Sequence, residues 1–245
     1  MRITFFDTER APPLGWFWGL GEQRIHYGQI VQHGFFTSVQ WQYEGDKVRE
    51  YSLLNNKNFD TEPMNDKPLV EKMREIIANT DVLVAHNGKR FDWPEFKGRL
   101  IYHRIPMVRK PHIFDTLNEA RSSSFISNKL GDLANHLHIV EKLENPTDFG
   151  KLVFGTIKER KEELKKSIKY GLGDIPPLRE LFHLLHPYSE NKLNIASIQD
   201  PTTCPRCGGD CIIRKGKSIL VSGMCRNSYK CKCGHRFQGT IRVNK

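Results

Sequence analysis

The residues best suited to chemistry sit near the two ends of the chain. Arg2-Ile3-Thr4-Phe5-Phe6 is an apolar, β-prone run that delivers Asp7-Thr8-Glu9 at its end. In an extended strand residues i and i+2 share a face, so Asp7 and Glu9 project together. Adjacent carboxylates resist ionising side by side unless a cation neutralises them, and their hard oxygens suit Mg²⁺ or Mn²⁺. The competing reading is that D-T-E opens a turn before Pro12 and Pro13, and this short stretch by itself leaves both open. At the other end, all six cysteines fall between Cys204 and Cys233. Cys204-Pro205-Arg206-Cys207 has metal-ligand spacing, and Cys231-Lys232-Cys233 supplies a second pair. Four thiolates suit tetrahedral Zn²⁺. Cys204, Cys207, Cys231 and Cys233 form the favoured set, with His235 or Cys225 as substitutes within the second pair and Cys211 and Cys225 otherwise spare.

Composition bounds what such sites can serve. A chain of 245 residues with 38% hydrophobic and 27% charged residues accommodates one full globular domain and a small appendage. The net charge of +10 is concentrated: residues 201 to 245 hold ten Lys and Arg against the single acid Asp210, leaving the rest near neutral. A short basic tail points to a polyanionic partner. No secretory leader follows Met1-Arg2, and no apolar run approaches the roughly 20 residues of a membrane span. These features predict a protein of the reducing cytoplasm without a membrane partner, where clustered cysteines bind metal rather than pair.

The intervening elements must position the acids. Two apolar runs, Phe35 to Tyr43 and Val48 to Leu54, flank Glu44-Gly45-Asp46 and predict a hairpin beside the first strand. Trp16, Phe17 and Trp18 offer either core packing or a base-stacking surface, with packing expected. Leu69, Met73, Ile76 and Ile77 share a helical face behind Pro68. A buried strand, 81–85, runs into His86-Asn87-Gly88-Lys89-Arg90-Phe91-Asp92, and Pro94 begins another helix. Asp92 is either a capping group or a carboxylate held ionised by the helix dipole. His112 to Leu117 reads as a short strand entering a helix, and Leu130 to Leu137 has helical spacing. The charged run 158–166 reads as a solvated helix face with Glu162 and Lys166 paired. It leads to Tyr170-Gly171-Leu172-Gly173-Asp174, where Tyr170 and Asp174 share a face one turn apart. Gly171, Gly173, Pro176 and Pro177 predict a kink or a helix restart near Ile175.

Together, D-T-E at Asp7, N-G-K-R-F-D at Asn87 to Asp92 and Y-G-L-G-D at Tyr170 to Asp174 resemble the three motifs of tyrosine-subtype DEDD exonucleases of the ribonuclease H-like superfamily. The chain also resembles phage-borne proteins joining such a domain to a carboxyl-terminal zinc ribbon, in which the second cysteine pair is usually one residue wider. The resemblance implies an α/β fold, a five-stranded mixed sheet flanked by helices with the acidic strand central. It implies a nuclease domain over 1–190, a linker over 191–200 and a ribbon over 201–245. Asp7, Glu9 and Asp174 would hold a catalytic Mg²⁺ or Mn²⁺, Asp7 and Asp92 a second, and Tyr170 would orient the attacking water. Asn87 would contact substrate, and Asp115 would play a supporting part. The implied activity is 3′-to-5′ hydrolysis of single-stranded DNA, alongside replication or recombination proteins and in a host cytoplasm if phage-encoded. A ribonuclease, a structure-specific endonuclease and a catalytically weak nucleic-acid-binding protein are the alternatives. Two glycines and two prolines depart from the family's third motif.

Overall fold

The structure is a computed structural model that describes residues 2–19, 21–22, 24–139, 146–189, 204, 212–219, 225–234 and 236–240. The described chain divides into a unit over Arg2–Leu185 and a second that begins at His186.

The first unit is built on β1 (Ile3–Ala11), which pairs antiparallel with β4 (Phe35–Tyr43) and parallel with β6 (Val82–Ala85). A short hairpin of β2 (Leu14–Gly15) and β3 (Ile30–Gln32) intervenes, while β5 (Arg49–Ser52) and β7 (His112–Asp115) complete the order β5-β4-β1-β6-β7. The acidic strand is therefore central, in a mixed five-stranded sheet flanked by helices, as expected. Gly45, at a φ of 80°, turns β4 into β5.

Alternation along β1 assigns its two faces. Phe6 joins a core with Leu69, Met73, Ile76 and Ile77 of α1 (Lys67–Ala78) and Trp93, Phe96 and Leu100 of α2 (Asp92–Tyr102). Buried Asp66 anchors α2: it accepts from the Phe36 amide at 2.9 Å and from Arg99 Nε at 2.8 Å, and contacts His103 Nε2 at 2.6 Å. The opposite face carries Phe5, edge-on to Phe182 at 5.7 Å, on α6 (Ile157–Leu185). Three short helices, α3 (Thr116–Arg121), α4 (Leu130–His136) and α5 (Phe149–Phe154), precede α6.

Three expectations need correction. The helix does not restart near Ile175: α6 runs unbroken through Pro176 and Pro177. An interior proline costs about 3 kcal/mol, but Ile175, Leu178, Leu181 and Phe182 are buried on this segment, and each such side chain contributes about 1.5–3 kcal/mol. Packing decides the conformation over propensity. The charged run is not wholly solvated either. Glu163 is buried, accepts from the Asp148 amide at 2.8 Å and pairs with Lys166 at 2.7 Å, taking the role expected of Glu162. Finally, Trp16, Phe17 and Trp18 are not core residues: they are 69%, 62% and 95% exposed. Leu14 packs against the core, but the turn beyond it stands clear.

The second unit contains an antiparallel sheet, β10-β9-β8, from β8 (Ile212–Ile219), β9 (Cys225–Cys231) and β10 (Arg236–Thr240). Among the described residues no helix is long and apolar enough to cross a membrane.

Candidate metal centres and cleft

The last β1–β6 pair is Phe5 with Val84, so Asp7 and Glu9 extend beyond the carboxyl end of the parallel strands. They follow Phe5 in alternation and face α6. There Asp174 meets them: one carboxylate oxygen from each of Asp7, Glu9 and Asp174 lies within 4.8 Å of the others. A bulge in the β1–β4 ladder follows Glu9, whose partner is Ser38 while Arg10 pairs with Phe36. Bulges bend a strand and re-aim side chains beside sites of this kind. Asp174 is only 5% exposed. Three converging acids, one of them buried, are mutually repulsive unless a cation joins them, and their oxygens fit a hard divalent ion.

Asp174 and Asp7 line a cleft of about 670 Å³ together with Asn87, His86, Arg121 and Lys129. Asn87 has φ 69°, a left-handed conformation that asparagine tolerates. A Cβ on Gly88 would lie 2.5 Å from Ala85 Cβ, so this sharp turn requires glycine. Asp115 holds the turn from below. Its carboxylate accepts from the amides of Asn87 at 2.9 Å, Lys89 at 2.9 Å and Leu117 at 3.1 Å. It thus caps α3 while fixing the Asn87 loop.

Asp92 stands outside the three-carboxylate cluster. Thr8 points to the opposite face of β1 from Asp7 and Glu9, and its hydroxyl donates to Asp92 Oδ1 at 2.5 Å. Burial pushes the Asp92 carboxyl up to about 6, opposed by the Thr8 hydrogen bond and reinforced by the charge of Asp115. Asp92 is the first residue of α2 rather than its N-cap, which is Phe91, and its carboxylate accepts from its own backbone amide. Tyr170 is half-buried one turn before Asp174 on α6.

Cys204, Cys231 and Cys233 also converge, their sulfurs within 4.8 Å of one another and Cys204 Sγ 3.7 Å from Cys233 Sγ. Cys231 ends β9, and the Gly234 amide donates back to its carbonyl at 2.9 Å with φ 86° at Gly234. This tight turn brings Cys233 round beside Cys231. Three soft thiolates fit Zn²⁺ and leave one tetrahedral position. Cys207, Cys211 and His235 lie outside the described residues, and Cys225 is at the far end of β9.

Of the cleft residues, His86 adjoins the Asn87–Asp92 motif without a role read from it, and Arg121 and Lys129 belong to segments with no short motif. The sequence reading also missed Ser38 and Gln40, two polar residues within a strand that reads as apolar.

A family model described as the RNase_H superfamily matches residues 28–150, half of the chain, and the protein belongs to that superfamily. The matched stretch includes Asn87, Asp92 and Asp115, whereas Asp7, Glu9 and Asp174 join the site through geometry. A DNA polymerase of Methanocaldococcus jannaschii is 36% identical over 59 residues, 24% of this chain and 4% of that protein. The family B DNA polymerase of the hyperthermophilic archaeon Pyrobaculum calidifontis shares the fold, with a TM-score of 0.55 at 15% identity over 80% of this chain and 26% of that one. The chain thus corresponds to a minor part of each polymerase.

Proposed function

We propose that the protein is a divalent-metal-dependent nuclease acting as a 3′-to-5′ exonuclease on single-stranded DNA. The observation that carries this reading is the meeting of Asp7, Glu9 and Asp174 beside a cleft that also presents Arg121 and Lys129, in a ribonuclease H-like sheet. A Mg²⁺ or Mn²⁺ ion held there would offset the repulsion and stabilise charge developing on a phosphodiester. Arg121 and Lys129 attract the phosphate backbone, Asn87 contacts the terminal nucleotide, and Tyr170 orients water for in-line attack. Asp92 would help Asp7 hold a second ion only if it were deprotonated and released from Thr8.

In this reading residues 1–190 are the nuclease, 191–200 a linker and 201–245 a Zn²⁺ ribbon held by Cys204, Cys207, Cys231 and Cys233. The ribbon's basic side chains grip the substrate, and the exposed Trp16, Phe17 and Trp18 stack on unpaired bases. Single-stranded DNA and RNA labelled at either end, incubated with Mg²⁺, Mn²⁺ or EDTA, test the reading. A metal-dependent ladder from 5′-labelled DNA with immediate mononucleotide release from 3′-labelled DNA is expected. Internal cuts or a preference for RNA would replace it with an endonuclease or ribonuclease. The engagement of Asp92 by Thr8 favours a specific second reading, a catalytically weak nucleic-acid-binding protein, which predicts binding without cleavage.

A further inference from the structure

The two glycines of the Tyr170–Asp174 motif are poor helix formers, yet they lie in the middle of a 29-residue helix. For Gly171 the structure supplies a reason. A Cβ at this position would lie 2.6 Å from both Cδ and Oε1 of Gln40 and 2.9 Å from its Nε2. Non-bonded atoms do not approach so closely. Gln40 is fully buried on β4, so its side chain has no open solvent into which to retreat.

Gln40 is also the cross-strand partner of Asp7, and Ser38 is the partner of Glu9. Directly opposed residues of an antiparallel pair share a face with their Cβ atoms about 4.5–5.5 Å apart. Ser38 and Gln40 therefore form a buried polar floor beside the two carboxylates, joined by a 2.8 Å bond from Gln40 Nε2 to Ser38 Oγ. Gln40 Oε1 has no hydrogen-bond partner among the described residues. A buried acceptor without a donor is unfavourable, and a simple packing role would be filled better by an apolar side chain. The carboxamide wedges against the one helical turn that carries Asp174.

We propose that Gln40 and Gly171 form a positioning device for the ion site: the missing Cβ lets α6 settle on the Gln40 carboxamide at the height where Asp174 reaches Asp7 and Glu9. Gln40 is the positioning residue, and Gly171 is the position that accommodates it. The inference rests on the reading that these three carboxylates hold a divalent ion.

The test uses the full chain with Gly171→Ala, Gln40→Asn, which draws the carboxamide back by one methylene, and both together. Mn²⁺ affinity is measured by calorimetry, and unfolding midpoints are measured in EDTA. Gly171→Ala should lose at least about tenfold in Mn²⁺ affinity, the scale typical of losing support behind a metal ligand. Its metal-free midpoint should fall, although alanine is the better helix former. The double variant should recover most of both losses. Should Gly171→Ala fail to fold, the double variant should still fold and bind Mn²⁺ near the parent affinity. Parent-like affinity in Gly171→Ala, or a double variant no better than Gly171→Ala, overturns the proposal. Asp174→Asn separates the two claims: undiminished Mn²⁺ affinity there removes the ion-site reading, while recovery of the metal-free midpoint reports on the Gln40–Gly171 contact alone.

Discussion

The carboxylate cluster and the thiolate cluster answer the same problem with opposite resources. Each gathers three ligand atoms within 4.8 Å. Asp7, Glu9 and Asp174 come from the first strand and the last long helix, carried by a sheet with helices packed against it. Their positions are set by buried side chains such as Phe5, Phe182 and Ile175, so the fold around them is expected to persist without an ion. Cys204, Cys231 and Cys233 instead come from a short, polar stretch of sequence, where Cys204 and Cys231 are buried. A segment of so polar a sequence would rely on a bound metal to fold. A ligand site can be preformed by a core or can substitute for one, and metal removal should distinguish the two.

The largest expected effect is on chemistry at the carboxylates. Asp7→Ala and Asp174→Asn should each reduce hydrolysis by more than the roughly 10–100-fold typical of losing a group behind a ligand, with unfolding midpoints in EDTA unchanged or raised as repulsion is relieved. Tyr170→Phe should lose less, because orienting water assists a step that the acids make possible. Single-turnover rates on labelled DNA provide the check, and equal losses would give Tyr170 a different task.

Next in size is the response to chelation. A strong zinc chelator, or Cys204→Ser with Cys231→Ser, should unfold the second unit while the first keeps its own cooperative transition. Two calorimetric transitions that respond separately would show this. With the basic segment disordered, nucleic-acid affinity should fall. The slope of log K against log salt should become shallower by about 0.7 for each single-strand phosphate no longer neutralised by a basic side chain. Loss of both transitions on chelation would erase the contrast between preformed and metal-built sites.

A smaller effect concerns Asp92. Its folded carboxyl is raised to about 6 from an ordinary value of 3.8, so the folded state binds the extra proton between those values. Stability is greatest at the acidic end of this window and is lost as pH rises through about 6. In EDTA, Asp92→Asn should therefore gain up to about 3 kcal/mol relative to the parent at pH 8, and the gain should vanish near pH 4. Urea titrations at the two pH values measure it. A gain independent of pH would mean that ionisation is not its source.

The smallest effect should come from the exposed hairpin. Trp16→Ala with Trp18→Ala should leave the unfolding midpoint unchanged, since neither side chain is packed, and weaken single-strand binding by about 1–3 kcal/mol per stacked base. Trp41 and Trp93 are buried, so tryptophan quenching by oligonucleotide should largely disappear in this variant. Quenching that persists would place the bases elsewhere.

What the sequence determined by itself was local. Alternation in β1 put Asp7 and Glu9 on one face, the periodicity of Leu69, Met73, Ile76 and Ile77 defined the buried side of α1, and cysteine spacing marked two pairs, Cys204 with Cys207 and Cys231 with Cys233, of which Cys207 lies outside the described residues. These follow from backbone geometry within a few residues and from ligand chemistry, which any chain carries in its order. The tertiary structure decided the rest. It carried Pro176 and Pro177 through a continuous helix, because apolar burial on the sheet outweighs propensity. It turned Asp92 toward Thr8, since successive residues of β1 face opposite ways and α2 covers the Thr8 side. It left Trp16, Phe17 and Trp18 exposed, because among the described residues no layer lies over the turn. It also explained Gly171, whose partner Gln40 is distant in sequence and becomes a neighbour only when β4 pairs with β1 beneath α6.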